Sequence, residues 1–219
     1  MGFTKYNLKT NVLFNKYDSI IFDLDDTIYP EIEYLKLAYK YVACQICLVE
    51  KLHFNLSDEI QNYLIETFIK NGRLGLFQKL INNFNLKRIS IEEMVSFLHS
   101  VPLKENSIKV FPQIRSLITN HLNKKQKIIL TNGNPYQQIN KFYALDIPCK
   151  NDFKLFFASK SGKALEKPNP FYAEKIIKEF SLDKSKVIYI GDSFIDFITA
   201  KNANIKFLDV SFILHNESK

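Results

Sequence analysis

The sequence contains no tryptophan and only three cysteines among its 219 residues. Three is an odd, sparse set, which argues against the disulfide framework of small secreted proteins. Cys44 and Cys47 form a C-x-x-C pair, but no second pair accompanies it and both lie in an apolar helical run. We therefore expect buried helical cysteines rather than a zinc or redox centre.

The chain also lacks long apolar runs. No uncharged stretch approaches the roughly 20 residues of a membrane-spanning helix. Residues 1–18 lack the apolar core and the cleavage site of a signal peptide, so we expect a cytoplasmic protein without a membrane partner. Hydrophobic residues make up 46% of the chain and charged residues 24%, which indicates a packed domain rather than disorder.

The net charge of +7 is the one feature that suggests a nucleic-acid partner. The lysines are scattered, however, and the sequence has no compact arginine cluster and no alternation of basic with aromatic residues. A solvated basic surface that attracts small anionic substrates explains the charge better. We expect no nucleic-acid partner, and either a monomer or a homodimer.

Short apolar runs alternate with amphipathic helical segments along most of the chain. This alternation predicts an α/β fold, in which a parallel sheet is covered by helices on both faces. The predicted strands are residues 19–24, 127–131, 152–159, 186–190 and 205–210.

One long segment interrupts this alternation. Residues 30–105 show only helical patterning, enough for about four helices, and proline lies near both ends. Within it, Ser90 followed by Glu93 has the pattern of a helix start. The sequence therefore predicts an inserted all-α cap domain over residues 30–105, with the core domain formed by residues 1–29 and 106–219.

Polar residues follow the predicted strands directly. Asp23, Asp25 and Asp192 stand at two such ends. Because ligands bind at the carboxyl ends of the strands in open parallel sheets, these carboxylates should meet. Together they would repel one another without a cation, and Mg²⁺ is the usual hard ion beside a phosphate. Asp23 could then attack phosphorus, while Asp25 protonates the leaving oxygen and later activates water.

The same edge of the sheet supplies candidate phosphate ligands. The Thr131 hydroxyl and the backbone N–H groups near Leu24, Asn132 and Gly133 can donate to phosphoryl oxygens. Lys167 can neutralise charge on the nucleophile and on the phosphate. Each short pattern is common in turns when it stands alone. Their order and their placement at strand ends make chance a poor explanation.

This ordered set resembles the haloacid dehalogenase superfamily of phosphohydrolases, over nearly the whole chain. Four motifs carry the resemblance: DLDDT (23–27), TN (131–132), KP (167–168) and GDSFID (191–196). The resemblance implies a Rossmann-like core and a mobile helical cap, which here falls between the first and second motifs.

The resemblance also implies a role for each motif residue. Asp23 matches the nucleophile and a magnesium ligand, and Asp25 matches the general acid/base, whose backbone carbonyl ligates the metal in relatives. Asp192 matches the carboxylate ligand of the last motif. Asp196 matches a second acid that ligates the metal through water or supports the motif lysine. The phosphate-binding hydroxyl and lysine match Thr131 and Lys167.

Asp25 favours phosphate transfer over dehalogenation, because dehalogenases lack this second carboxylate. We expect its pKa to be raised by burial and by neighbouring acids. The predicted function is a magnesium-dependent phosphomonoesterase. A phosphomutase of the same superfamily and a non-catalytic phospholigand-binding module stay open as alternatives.

The substrate is expected to be a small phosphorylated metabolite, either a sugar or polyol phosphate or a nucleoside monophosphate. A loose similarity of FIKNGRLGLFQKL to pyrimidine 5′-nucleotidase-like proteins suggests the nucleotide. Arg73, within that stretch, is a candidate contact for an anionic substrate, with an ordinary helix–helix turn as the alternative. Tyr29, Tyr34 and Tyr136 are candidate walls of the substrate pocket, with packing at helix starts as the alternative.

Overall fold

The computed structural model describes residues 13–215, which form two compact units. The first unit contains the described residues up to Pro30 and from Glu105 onward, and the second contains Glu31–Lys104. No helix within residues 13–215 is both long enough and apolar enough to cross a membrane.

The first unit is built on a five-stranded sheet in which every neighbouring pair of strands is parallel. The strands are β1 (Ser19–Phe22), β3 (Gln126–Thr131), β5 (Phe153–Phe157), β6 (Val187–Gly191) and β7 (Lys206–Asp209). Their order in the sheet is β5-β3-β1-β6-β7, so β1 is central. All four residues of β1 are buried, as are all five of β6.

Helices cover this sheet and bury its side chains. The core contains β1, β3 and β6 residues such as Ile21, Leu130 and Tyr189 packed against helical residues such as Ile176 and Ala200. The helices of this unit are α5 (Pro112–His121), α6 (Pro135–Ala144), α7 (Phe171–Glu179), α8 (Phe194–Asn202) and α9 (Ser211–Leu214). The predicted α/β class with a Rossmann-like parallel sheet is confirmed.

A small feature of this unit was not predicted. β2 (Ile108–Lys109) pairs in parallel with β4 (Leu145–Asp146) in a separate two-stranded ladder. Two residues are too few to show a hydrophobic period, so the sequence pattern carries no signal for either strand.

The second unit is helical. Ser90 caps the last of its helices: its side chain accepts from the Glu93 N–H at 3.1 Å, and the Glu93 carboxylate accepts from the Ser90 N–H at 2.8 Å. This is the capping box that the sequence predicts. The helices are α1 (Glu31–Glu50), α2 (Leu56–Asn71), α3 (Leu76–Phe84) and α4 (Ile91–His99).

Candidate active site

The first predicted motif stands directly beyond the central strand. β1 ends at Phe22, and the Asp23 N–H still donates to the Ile190 carbonyl of β6 at 2.9 Å. The backbone at Asp23 is therefore held by the sheet rather than by a free loop. Asp23 and Thr27 are buried, whereas Asp26 is exposed and adopts a positive φ of 53°. The loop thus turns its acidic residues in different directions.

A buried ion network joins the first motif to the third and the fourth. The Lys167 Nζ lies 2.5 Å from Asp23 Oδ1 and 2.7 Å from Asp196 Oδ1. The Tyr189 hydroxyl donates to the same Asp196 oxygen at 2.9 Å. Burial alone would lower the pKa of Lys167, but Asp23, Tyr189 and Asp196 outweigh it and raise that pKa well above its ordinary value. Lys167 is therefore a fixed positive charge beside Asp23.

Three carboxylates, two from this network and the neighbouring Asp192, lie close enough to share a cation. Asp23, Asp192 and Asp196 each offer an oxygen, and these atoms all lie within 4.8 Å of one another. Burial raises the pKa of Asp23 to about 7, against the opposing charge of Lys167. Burial and then Asp196 raise the pKa of Asp192. Crowded oxygen donors of this kind suit a hard divalent ion such as Mg²⁺, which would favour their ionised forms.

The three acids differ in their other contacts. Both Asp196 oxygens already accept from protein groups: Oδ1 from Lys167 and Tyr189, and Oδ2 from the Ser193 hydroxyl at 2.6 Å. Asp192 is exposed, and its Oδ1 accepts from the Thr27 hydroxyl at 3.3 Å. These contacts favour a role for Asp196 in holding Lys167, and leave Asp192 better placed to reach an ion.

The second motif is tied to the third through one side chain. The Asn132 Nδ2 donates to the Lys167 carbonyl at 3.1 Å, and its Oδ1 accepts from the Lys167 N–H at 3.0 Å. Thr131, the last residue of β3, is buried beside it. Gly133 adopts a φ of 101°, a backbone conformation that residues with a Cβ rarely adopt. The Asn132 side chain therefore holds the two loops together.

Asp25 has partners that the sequence analysis did not identify. The Lys141 Nζ lies 3.0 Å from both Asp25 oxygens, and the Gln138 Nε2 donates to Oδ2 at 3.1 Å. Tyr29 is fully buried and its hydroxyl donates to Oδ1, so it does not form a wall open to substrate. The only sequence signal for the two α6 residues is their spacing of three, which places them on one helical face.

These partners reverse one expectation. Burial would raise the pKa of Asp25, but the Lys141 charge and the hydrogen bonds from Tyr29 and Gln138 outweigh it, so the pKa is lowered. The predicted upward shift is wrong. It was based on the neighbouring acids, whereas the pKa is lowered by Lys141, which lies 116 positions along the chain. The Asp25 carboxyl group is therefore ionised before substrate binds, and in this form it accepts protons.

The remaining candidates lie apart from these contacts. Leu24 is buried, and its carbonyl accepts from the Ile28 N–H at 3.0 Å. Arg73 belongs to the helical unit, where its guanidinium pairs with Glu31 and stands 5.7 Å from the centre of the Phe68 ring. The structure thus gives Arg73 a contact within its own unit, and its predicted role toward substrate stays a prediction.

Comparison with a protein-family model assigns the chain to a family. The model of the haloacid dehalogenase-like hydrolases matches residues 20–210, a span that contains all four motifs. The chain belongs to this family and is a hydrolase by that membership. No curated protein matches the chain.

Solved structures show the same fold at low sequence identity. A variant of CbbY from Rhodobacter sphaeroides, in complex with xylulose-1,5-bisphosphate, has a TM-score of 0.55 at 17% identity and covers 88% of this chain and 85% of its own. A protein predicted to be a phosphoglycolate phosphatase, from Haemophilus somnus, has a TM-score of 0.52 at 16% identity, with coverage of 93% and 92%. A hydrolase of the same superfamily from Geobacter sulfurreducens has a TM-score of 0.50 at 16% identity, with coverage of 88% and 86%.

Proposed function

We propose that the protein is a magnesium-dependent phosphomonoesterase that forms a phospho-aspartate at Asp23. One observation carries the proposal: the buried Asp23 carboxylate lies 2.5 Å from the Lys167 ammonium and within 4.8 Å of oxygens of Asp192 and Asp196. Lys167 can offset the negative charge that accumulates when a carboxylate approaches a phosphate. A Mg²⁺ ion held by Asp23, Asp192 and the Asp25 carbonyl would supply further charge neutralisation.

The two carboxylates of the first motif divide the work. Asp25 is ionised before substrate binds, so it first takes the proton of a monoanionic phosphate ester. An Asp23 oxygen attacks phosphorus, the bond to the leaving oxygen breaks, and the Asp25 carboxyl gives that oxygen its proton. Water then attacks the phosphorus of phospho-Asp23 and passes a proton to Asp25. The bond between phosphorus and Asp23 breaks, Asp25 returns the proton to the departing phosphate, and both residues regain their starting forms. Thr131 and the N–H groups of Leu24, Asn132 and Gly133 bind the phosphoryl oxygens.

The substrate class is a small phosphorylated metabolite. One structural neighbour holds a sugar bisphosphate and another is predicted to act on phosphoglycolate, so small phosphate esters are the first compounds to test. Nucleoside monophosphates belong in the same panel. In this proposal the helical unit is a cap domain that selects the leaving group, Arg73 contacts the substrate, and the reaction takes place in the cytoplasm without a nucleic-acid or membrane partner.

The test is hydrolysis of p-nitrophenyl phosphate by the purified protein. We expect turnover with Mg²⁺ and none after addition of EDTA. Asp23→Asn should abolish turnover and keep the fold, because Lys167 retains its ion pair with Asp196. Asp18→Asn is the matched control, since Asp18 precedes the opposite end of β1 and its side chain is 65% exposed.

Three results would decide against the proposal. Full activity of Asp23→Asn would exclude the phospho-aspartate. No hydrolysis across the panel, together with thermal stabilisation by one of the esters, would favour a binding module. Transfer of the phosphoryl group to a sugar hydroxyl in place of water would identify a phosphomutase.

A further inference from the structure

Helix α6 turns two polar side chains into the interior of the first unit. Gln138 is 2% exposed and Lys141 is 3% exposed, and their spacing of three places both on one helical face. Burying an ammonium is costly unless a partner of opposite charge is within reach. The ion pair between Lys141 and Asp25 therefore has to offset the cost of burying the ammonium.

Lys141 and Gln138 hold the carboxyl group of Asp25 from one side. The Lys141 Nζ donates to both oxygens at 3.0 Å, and the Gln138 Nε2 donates to Oδ2 at 3.1 Å. The Tyr29 hydroxyl donates to Oδ1 from the loop after β1. Donors from two separate segments thus engage both oxygens, and they restrict rotation of the carboxyl group about its side-chain bonds.

Gln138 also contacts the hydroxyl that is proposed to bind phosphate. Its Nε2 lies 2.6 Å from Thr131 Oγ1 and 3.0 Å from the Asn132 carbonyl oxygen. In the shorter contact the hydroxyl accepts the bond and keeps its own hydrogen for donation. In the described structure that hydrogen goes to the Asn132 carbonyl at 3.0 Å. The Gln138 Oε1 is buried without a hydrogen-bond partner among the described residues. Turning the amide over would bring that oxygen against the Asp25 carboxylate, so the contacts fix Nε2 on the side of the site.

We propose that Gln138 and Lys141 are positioning residues of the phosphatase site, Lys141 by holding the Asp25 carboxyl toward the leaving oxygen and Gln138 by keeping the Thr131 hydroxyl a donor. This inference rests on the proposed phosphomonoesterase function. Neither residue is proposed to touch the substrate, since Lys141 acts through Asp25 and Gln138 acts through Thr131.

The test for Lys141 uses the leaving group. A nitrophenolate departs without a proton, whereas an alkoxide needs one from Asp25. Lys141→Met should therefore lower kcat for an alkyl phosphate such as glycerol phosphate by about 10²-fold, the low end for general acid catalysis. The same substitution should lower kcat for 2,4-dinitrophenyl phosphate less than about tenfold, because this leaving group needs no proton from Asp25. KM should change little for either ester.

Two controls separate positioning from a general loss of structure. Lys127 is also a buried lysine, 1% exposed, at the opposite end of β3 from Thr131. Lys127→Met should reduce stability without changing the ratio of rates for the two esters. In an Asp25→Asn background, Lys141→Met should have no further effect on the alkyl ester, because the residue through which it acts is already lost.

The test for Gln138 uses the product. Gln138→Leu should raise the inhibition constant for inorganic phosphate about tenfold, the value of one hydrogen bond to a charged group. The same substitution in a Thr131→Val background should leave that constant unchanged. A further loss of phosphate affinity in the double variant would overturn the role assigned to Gln138.

The outcomes for Lys141 are equally distinct. An equal loss of rate for both esters, or an effect that persists in the Asp25→Asn background, would overturn the positioning role while the phosphatase function stands. A large rise in KM alone would show that Lys141 binds substrate directly. A wild-type protein that hydrolyses no phosphate ester would overturn the proposed function, and the positioning role with it.

Discussion

At the scale of single residues, Gly191 has the least room for a side chain among the glycines that the structure describes. A Cβ built there would lie 2.6 Å from the Asp196 Cβ and 2.7 Å from its Cγ and Oδ2. Because Gly191 has no side chain, the Asp196 side chain can lie against the backbone at the end of β6. In that place Asp196 reaches both Lys167 and the Ser193 hydroxyl.

Replacing Gly191 with alanine should move Asp196 and weaken both of its contacts. We expect a loss of about 1–3 kcal/mol in the free energy of unfolding, which is typical of overpacking in a well-packed interior. Urea denaturation measures this loss. An alanine variant as stable as the wild type would show that Asp196 can shift without consequence for the network.

The roles of Asp23, Asp25 and Lys167 could be proposed from sequence because the order of motifs along the chain carries them. The protonation of Asp25 could not, because it depends on Lys141, 116 positions away. In the sequence Lys141 is one polar residue on an amphipathic helix, and the pattern does not distinguish an inward lysine from a solvated one. Only the packing of α6 against the site reveals it.

At the scale of elements, apolar runs located the strands well. β1 and β6 are buried on both faces, so apart from Ser19 their residues are apolar, aromatic or glycine, and the turn residues after them are easily recognised. Strand ends differ from the predicted ones by at most two residues, as at β5, where five residues pair within the predicted 152–159. Such differences arise because apolar side chains continue beyond the last ladder hydrogen bond.

Glu50, the last residue of α1, ties that helix to the segment before α4. Its carboxylate accepts from the N–H groups of Lys87 at 2.9 Å, Arg88 at 2.6 Å and Ile89 at 2.9 Å. Burial would raise the pKa of Glu50, but these backbone hydrogen bonds outweigh it and the pKa is lowered. Its contribution to stability is therefore complete above the ordinary value of 4.5 and is lost as pH falls through the folded-state pKa.

We expect Glu50→Gln to destabilise the protein by about 1 kcal/mol at pH 7, since an amide oxygen accepts hydrogen bonds more weakly than a carboxylate. The difference from wild type should shrink as the pH falls below 4.5 and through the folded-state pKa of Glu50. Urea unfolding at several pH values measures it. Glu66→Gln, at an exposed position of α2, is the matched control and should change the free energy of unfolding little. A constant difference across this range would contradict the role of the Glu50 charge.

At the scale of the whole molecule, an acidic site lies within a chain of net charge +7. The positive charge favours the approach of phosphate esters, while the local carboxylates favour a cation. Membership of the haloacid dehalogenase-like hydrolases could be predicted because four short motifs follow one another in order along the chain, and the family model matches a span that contains all four. The substrate could not, because leaving-group contacts have no motif of comparable specificity.

Metal binding should be visible in the stability of the whole protein. A ligand that binds only the folded state at 100 times its dissociation constant adds about 2.7 kcal/mol. For a chain of this length the melting temperature should then rise by about 5–10 °C in Mg²⁺ and return on addition of EDTA. Asp192→Asn should abolish the response and Asp18→Asn should keep it. A melting temperature indifferent to Mg²⁺ in the wild type would argue against the ion site.

The central place of β1 also governs the order in which the protein can fold during synthesis. Ser19 pairs with Gln126 on one side and with Val187 on the other, so the middle of the sheet is made first and both of its neighbours much later. The helical unit, Glu31–Lys104, is complete before either neighbour leaves the ribosome. Contacts so distant in sequence form slowly. We expect the apolar β1 segment to be the part of the nascent chain most dependent on chaperones until β3 arrives.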